Sequence, residues 1–203
     1  MSATTDVPNK ALIGGHWVEG SAGTFEVRSP HSGEVINTVA RCDAGDVERA
    51  VAAARAAQPS WARTPLIDRV KVLRRINQSF VEHAEPIARM VSLEIGKTIT
   101  DAREEVYEYS APSYEKAGAE VLRHRGLSFP STQEQTNNKR LVMSHRPLGV
   151  VAVITPYNFP TDISSIAIAH IIAAGNTAIW KPSEFSPTCC AMVAELFEEA
   201  GLP

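Results

Sequence analysis

Residues 149–155 read "GVVAVIT", an apolar run that lacks the polar alternation of a half-exposed strand. A run of this kind is typical of a parallel strand that is buried on both faces. The segment "TDISSIAIAHIIAAGN" follows as an apolar helix that Gly175 ends, and "TAIWK", residues 177–181, reads as a second buried strand. The order strand, helix, strand predicts a parallel βαβ unit and therefore an α/β fold.

Downstream of this unit the sequence predicts one more helix. Ser186 and Pro187 indicate its start, with Ser186 as the cap, and Gly201 indicates its end. A sheet that stops after two parallel strands leaves an open apolar edge. We therefore expect the sheet to continue in a part of the protein beyond these 203 residues.

Upstream, residues 126–147 show a period of two. In "KRLVMSHRP", Leu141 and Met143 face opposite to Arg140 and Val142. The pattern predicts two strands joined by the polar turn "QEQTNN". Because a two-stranded arm is barely stable alone in water, we expect it to pair with another subunit or domain.

The first part of the chain predicts a β-rich segment followed by helices. Its short strands are "ALIGGHWVEG", "GTFEVRS" and "GEVINTVAR", separated by turn sequences such as "SPHSG". Asp43 and Asp46 predict the start of a first helix, which should end before Pro59. Thr64 with Pro65 predicts the start of a second helix.

Four positions divide the helical stretch that follows. Gly96 predicts the left-handed end of a third helix. Asp101 and Glu104 resemble a capping box that begins a fourth helix. Pro112 should kink or divide that fourth helix.

Composition argues against several classes of function. The net charge is −3, and no window combines clustered Lys and Arg with aromatic residues, so we expect no nucleic-acid partner. No apolar run reaches the ~18 residues of a membrane helix, and the polar start "MSATTDVPNK" lacks the pattern of an export signal. Neither the cysteines nor the histidines have metal-ligand spacing, so we expect no metal site. The odd count of 3 cysteines favours a reducing, cytoplasmic location.

Asn158 lies in "PYNFP", the turn after the first buried strand. A buried amide without partners costs roughly 1 to 3 kcal/mol. The side chain should therefore be either bonded to the backbone or kept free for a ligand. In the first case Asn158 caps the next helix or closes the turn.

Two further groups allow alternative interpretations. "WKPSE" follows the second strand, at the carboxyl end where α/β sheets collect ligands, but Lys181 and Glu184 could also form an ordinary solvated pair. Cys189 and Cys190 fall in the first turn of a helix, which lowers the pKa of a thiol. Buried cysteines are nevertheless common core residues, and we favour core packing for these two.

The segments "PLGVVAVITPYNFP", "AAGNTAIWKPSEFSP" and "ELFEEAGLP" resemble the aldehyde dehydrogenase superfamily, NAD(P)-dependent enzymes that oxidise aldehydes to acids. "EIGKTI" and "LIGGHWVEG" extend this resemblance over nearly the whole chain. It covers only the amino-terminal part of the family pattern. The glycine-rich cofactor turn, the general-base glutamate and the nucleophilic cysteine of the family would all lie beyond Pro203.

The resemblance implies a Rossmann-like cofactor-binding domain with a parallel sheet and helices, truncated before the catalytic domain. Residues 1–125 would supply the β-rich segment and the helices of this domain, and residues 148–203 would begin its sheet as a βαβα unit. Residues 126–147 would form a two-stranded oligomerisation arm.

The resemblance also implies roles for individual residues. In the family, the asparagine of the "PYNFP" motif donates its amide to the aldehyde oxygen, so Asn158 matches the oxyanion-hole residue. Lys181 and Glu184 match residues that bind the adenine ribose, where a carboxylate would repel a 2′-phosphate and favour NAD over NADP. The implied cofactor-binding residues are Ile154, Thr155, Pro156, Tyr157, Lys181 and Glu184. Tyr157 departs from the Trp or Phe that is commoner in the family, which leaves the substrate class open.

The implied function is oxidation of a small aldehyde to a carboxylic acid with NAD, through a thiohemiacetal on a cysteine outside this chain. Without that cysteine and the glutamate base, we expect the isolated chain to be inactive. The alternative is a non-catalytic truncated module that assembles with, or regulates, a full-length relative. We expect a homo-oligomer or such a relative as the partner of the strand arm. A third possibility is a superfamily relative that reduces acyl phosphates, and the ribose-binding motif "KPSE" argues against it.

Overall fold

The computed structural model describes residues 8–124 and 126–203, and it begins with two antiparallel hairpins. The first pairs β1 (Ala11–Ile13) with β2 (His16–Val18), and the second pairs β3 (Thr24–Arg28) with β4 (Val35–Ala40). The β-rich start is thus confirmed. The segment "ALIGGHWVEG" forms two strands instead of one, because Gly14 and Gly15 both adopt positive φ, at 62° and 76°, and turn the chain.

Five helices and one π-helical turn follow. They are α1 (Ala44–Arg63), α2 (Leu66–Glu82), α3 (Ala84–Ile95), α4 (Ile99–Glu104), the π-helical turn Glu105–Ser110, and α5 (Ala111–Arg123). Asp43 and Asp46 begin α1 as predicted, and they form a capping box in which the side chain of each accepts from the backbone N–H of the other. Gly96 ends α3 in the predicted left-handed conformation, with φ of 76°.

Three predicted helix boundaries were wrong. Helix α1 continues through Pro59 to Arg63, since its last turn is held by buried Trp61, whose Nε1 donates to the Ile172 carbonyl over 3.0 Å. Helix α4 begins at Thr98, whose side chain accepts from the Asp101 backbone N–H. Asp101 therefore lies inside the helix and is not its cap. The division predicted at Pro112 occurs earlier, as the π-helical turn.

The predicted βαβ unit is present. β7 (Val150–Ile154) and β8 (Thr177–Lys181) are parallel, with α6 (Asp162–Ala173) between them and α7 (Pro187–Glu199) after them. Two further strands, β5 (Leu127–Pro130) and β6 (Arg140–Met143), precede this unit. Gly175 follows α6 with φ of 86°. The prediction that β7 is buried on both faces was wrong for the described residues. Val153 is buried, whereas Ala152 and Ile154 on the other face are exposed.

The start of α7 differs from the predicted serine cap. Ser186 occupies the cap position, but its hydroxyl makes no cap hydrogen bond. The carboxylate of Glu94 in α3 accepts the backbone N–H groups of Thr188 and Cys189 instead, each over 2.8 Å. A residue remote in sequence therefore satisfies the free N–H groups of this helix.

The period-two segment forms an antiparallel hairpin. β5 (Leu127–Pro130) pairs with β6 (Arg140–Met143), and all eight strand residues are exposed. We call residues 126–147 the arm from here on. The hairpin was predicted; its role in oligomerisation stays a prediction.

One hydrophobic core joins the helices to the βαβ unit. Its largest fully buried side chains include Tyr114, Phe80 and Leu73, and the cluster extends to Val153 of β7 and Ile168 of α6. The βαβ unit therefore rests on the helical layer, which fixes the ends of its strands. Within residues 8–124 and 126–203, no helix is long and apolar enough to cross a membrane.

Candidate functional site

The turn after β7 begins from a fixed position. Thr155 is 5% exposed, its backbone N–H donates to the Lys181 carbonyl over 3.3 Å, and its Oγ1 accepts from Trp180 Nε1 over 3.0 Å. Both partners belong to β8. Pro156 and Pro160 further restrict the backbone on either side of the turn. The chain therefore enters and leaves this turn in a defined direction.

Asn158 lies in the middle of the turn and is exposed. Thr161, not Asn158, occupies the cap position of α6. The Asn158 side-chain amide has no hydrogen bond to any residue in the described ranges 8–124 and 126–203, whereas its backbone carbonyl accepts from Lys97 Nζ over 2.8 Å. The helix-cap interpretation was therefore wrong, and the amide is available to a ligand.

Apolar side chains surround Asn158 without being buried. Ile154 is 77% exposed, and Tyr157, Phe159 and Phe185 are exposed as well. The Tyr157 and Phe185 rings meet edge to face, with centroids 5.5 Å apart. We call these four residues the apolar edge. An exposed apolar cluster beside polar groups is typical of a binding surface.

Lys181 and Glu184 follow β8 as the sequence indicates. Their charged atoms lie 3.5 Å apart and both side chains are 63% exposed. A hydrogen bond from its own backbone N–H and the nearby Lys181 charge lower the pKa of Glu184. The carboxylate thus stays ionised and accessible from solvent.

The two turns lie at the same edge of the sheet. The parallel register places Ile154 of β7 directly opposite Lys181 of β8. The Tyr157–Phe185 contact joins the turns a second time. Asn158 and the Lys181–Glu184 pair therefore belong to one surface, at the carboxyl ends of the strands where α/β folds bind ligands.

Two further residues contact this turn, Lys97 and Glu105, and no motif in the sequence predicted a role for them. Lys97 lies in the segment "EIGKTI", and Glu105 opens the π-helical turn. Glu105 Oε1 accepts from the Thr161 backbone N–H over 2.9 Å. This contact could not be predicted from the sequence, because Lys97 and Glu105 are far in sequence from residues 158–161. A lysine and a glutamate in a helical stretch form no local motif that indicates such a contact.

The two adjacent cysteines are core residues. Cys189 is 0% exposed and Cys190 is 1% exposed. Burial is the main cause that raises the pKa of the Cys189 thiol well above its ordinary value. The protonated, enclosed thiol is unsuited to act as a nucleophile, which agrees with the core packing that we favoured.

A groove of about 400 Å³ lies between α5 and α6, beside the turn. Tyr109, Asp162 and Ile166 are among its lining residues. Burial and the neighbouring Glu105 charge raise the pKa of Asp162. Across residues 8–124 and 126–203, no cluster of three or more His, Cys, Asp or Glu side chains could hold a metal ion.

Known proteins resemble this chain in sequence and in overall structure. The chain is 41% identical over 195 residues to malonate-semialdehyde dehydrogenase 1 of Geobacillus thermodenitrificans, which covers 96% of the chain and 40% of the relative. A solved structure of Staphylococcus aureus betaine aldehyde dehydrogenase in complex with NAD+ superposes with a TM-score of 0.91 at 32% identity, over 97% of the chain and 40% of that protein.

A third relative holds the phosphorylated cofactor. The structure of NADP-dependent glyceraldehyde-3-phosphate dehydrogenase from Bacillus halodurans, complexed with NADP, gives a TM-score of 0.92 at 27% identity, covering 96% of the chain and 41% of that protein. The chain thus spans about two fifths of the length of these relatives. The model of the aldehyde dehydrogenase family matches residues 17–203. The chain belongs to the aldehyde dehydrogenase family.

Proposed function

We propose that these 203 residues supply the cofactor-binding part of an NAD-dependent aldehyde dehydrogenase and one catalytic group, Asn158. The observation that carries the proposal is the exposed Asn158 amide, which has no partner among the described residues and lies in a turn at the same sheet edge as the Lys181–Glu184 pair. An amide fixed where negative charge develops is typically worth about 2.7 to 4 kcal/mol of barrier.

The residues present fit the ribose of a nicotinamide cofactor. The Lys181 ammonium can donate to the ribose hydroxyls, and the ionised Glu184 carboxylate can accept from them. A carboxylate there would repel a 2′-phosphate, so we propose NAD over NADP. Relatives that bind either cofactor agree with a nicotinamide dinucleotide in general. When bound, the oxidised nicotinamide supplies the hydride acceptor.

Within this proposal, the chain's own residues bind and orient the reactants. Ile154, Thr155, Pro156 and Tyr157 would line the nicotinamide side of the site. The thiolate that attacks the aldehyde would come from outside these 203 residues, since Cys189 and Cys190 are buried, and burial and the neighbouring Asp46 charge raise the pKa of the exposed Cys42 thiol. Asn158 would then donate its amide N–H to the oxygen that becomes negative. The semialdehyde relatives favour a small aldehyde as the substrate.

The test uses the chain joined to the catalytic domain of an aldehyde dehydrogenase relative, which we call the completed enzyme. We expect Asn158→Ala to lower kcat by roughly 10²- to 10³-fold with little change in NAD affinity, because the interaction forms mainly in the transition state. Asn158→Asp should be at least as inactive and equally stable, since it places a repulsive carboxylate there. Asn138→Ala, an exposed amide in the arm, is the control. An active Asn158→Asp enzyme would contradict the proposal.

A second candidate is a non-catalytic module that binds a full-length relative. The exposure of every strand residue in the arm favours it. Turnover by the completed enzyme distinguishes the two candidate functions. A non-catalytic module gives no turnover of its own and acquires none when it is joined to a catalytic domain. Turnover by the completed enzyme that depends on Asn158 would exclude the module.

A further inference from the structure

Lys97 and Glu105 form a buried ion pair directly behind the Asn158 turn. Lys97 Nζ lies 2.5 Å from Glu105 Oε2, and the two side chains are 13% and 0% exposed. The Arg103–Glu85 pair, by contrast, lies near the surface. Removing two charges from water is expensive, so a buried pair alone gives weak support to stability.

Each member of the pair holds a different end of the turn. Lys97 Nζ donates to the Asn158 carbonyl over 2.8 Å and lies 4.1 Å from the centroid of the Phe159 ring. Glu105 Oε1 accepts the Thr161 backbone N–H and hydroxyl over 2.9 and 2.8 Å, and the Asp162 N–H over 3.2 Å. The backbone from 158 to 162 is thus held on both sides of Phe159.

The pair also matches the electrostatics of α6. The free N–H groups at the start of this helix carry partial positive charge, which the Glu105 carboxylate stabilises. The Ser110 hydroxyl donates to Thr161 Oγ1 over 2.9 Å, and it sits at the end of the π-helical turn that Glu105 begins. Such π-helical turns are frequent at functional sites. Both carboxylate oxygens of Glu105 therefore have hydrogen-bond partners, Lys97 on one oxygen and the start of α6 on the other.

We propose that Lys97 and Glu105 are positioning residues for Asn158. They fix its backbone so that the side-chain amide, which has no bond to a described residue, keeps one direction relative to the bound aldehyde. The inference rests on the proposed role of Asn158. Its physical basis is that a displacement of about 1 Å in a reacting group can cost roughly 10²-fold in rate.

The first experiment measures the order of the turn in the 203-residue chain itself. Lys97→Met removes the charge and the donor at similar length, and Glu105→Gln keeps one oxygen acceptor. We expect both variants to speed amide hydrogen exchange at Thr161 and Asp162, whose N–H groups donate to Glu105, and to lower the NMR order parameter of the Asn158 side-chain amide. The control Arg103→Met breaks the exposed Glu85 pair and should leave this turn unchanged. A lower melting temperature with an unchanged turn would overturn the inference.

The second experiment uses the completed enzyme. We expect Lys97→Met to lower kcat by roughly 10- to 100-fold while the NAD Kd and the aldehyde KM stay within about twofold. The same change made in an Asn158→Ala background should cost little more, because the amide that it positions is already gone. An equal loss in both backgrounds would overturn the inference. If Lys97→Met does not fold, Glu105→Gln carries the same comparison.

These outcomes separate two kinds of failure. Full activity of Asn158→Ala would refute the proposed function of the amide, whatever the Lys97 variants do. In that case the hydrogen exchange of Thr161 and Asp162 still decides whether Lys97 and Glu105 hold the turn. A severe effect of Asn158→Ala together with an unaffected Lys97→Met enzyme would refute only the positioning role.

Discussion

At the scale of single residues, the Lys181–Glu184 pair illustrates a contact that contributes little to stability. Both side chains are 63% exposed, and solvent screens the attraction between exposed charges. The low pKa of Glu184 keeps its carboxylate ionised. Since folding gains little from the pair, a ligand can take over its hydrogen bonds at little cost to the fold.

We therefore expect Glu184→Gln to weaken NAD binding by the completed enzyme roughly 10-fold or more, because a charged acceptor for the ribose hydroxyls is lost. NADP binding should weaken less or improve, since the repulsion of its phosphate is relieved. Calorimetry with both cofactors measures the two effects. Glu19→Gln, in the exposed Lys10–Glu19 pair, is the matched control. NAD affinity equal to that of the unmodified protein would refute the assigned ribose contact.

At the scale of elements, local patterns predicted what local contacts determine. The alternation of apolar residues predicted the strands, Asp43 and Asp46 predicted the start of α1, and Gly96 and Gly175 predicted helix ends. The errors occurred where a distant residue completes an element. Trp61 keeps α1 helical past Pro59 through its bond to α6, a contact that no window of sequence contains.

The candidate site divides in the same way. The turn with Asn158 and the pair Lys181–Glu184 were predicted as site residues from contiguous motifs, and the register of β7 with β8 places the two turns at one edge of the sheet. Lys97 and Glu105 were missed because they reach the turn from another layer of the fold. Lys97, for example, lies 61 residues before Asn158 in the sequence. Only the packing of α6 against the π-helical turn brings them together.

The start of α7 offers a test at this scale. Glu94 is 3% exposed and accepts two backbone N–H groups of α7. Glu94→Ala leaves both donors buried and unpaired, so we expect the free energy of unfolding in urea to fall by roughly 2 to 4 kcal/mol. Glu85→Ala, on the same helix with a half-buried carboxylate that pairs with the more exposed Arg89 and Arg103, should cost less than Glu94→Ala. Equal losses in the two variants would contradict the capping role.

The pH dependence of the Glu94 effect has a definite sign. Burial is the main cause that raises its pKa above the ordinary 4.5, so the folded chain binds this proton more tightly than the unfolded chain. Protonation of Glu94 therefore adds to the free energy of unfolding below pH 4.5, and this contribution is lost as the pH rises through the raised pKa of the folded chain. The advantage of the unmodified chain over Glu94→Ala should therefore grow as the pH falls from about 8 toward 4.5, measured by urea unfolding at each pH.

At the scale of the whole molecule, two surfaces differ from the packed body formed by the helical layer and the βαβ unit. One is the apolar edge around Asn158, and the other is the arm, whose strand residues are all exposed. Val142 is 73% exposed in the arm, and both outer strands leave backbone groups without strand partners. Unpaired strand edges with apolar side chains favour addition of a strand from another chain.

We expect the arm to be dispensable for folding and required for self-association. Replacing residues 128–142 by Asn-Gly closes the hairpin next to the Leu127–Met143 pair with a favoured two-residue turn. Because the arm strands lie outside the hydrophobic core, the free energy of unfolding should change by less than about 1 kcal/mol. Light scattering should then give the mass of one chain for this variant and a multiple of 22.0 kDa for the unmodified chain. Gln135→Ala at the exposed tip of the arm should keep the larger mass, since the strands are intact. A shortened chain that still associates would place the interface elsewhere, and the apolar edge would then be the next surface to test by the same measurement.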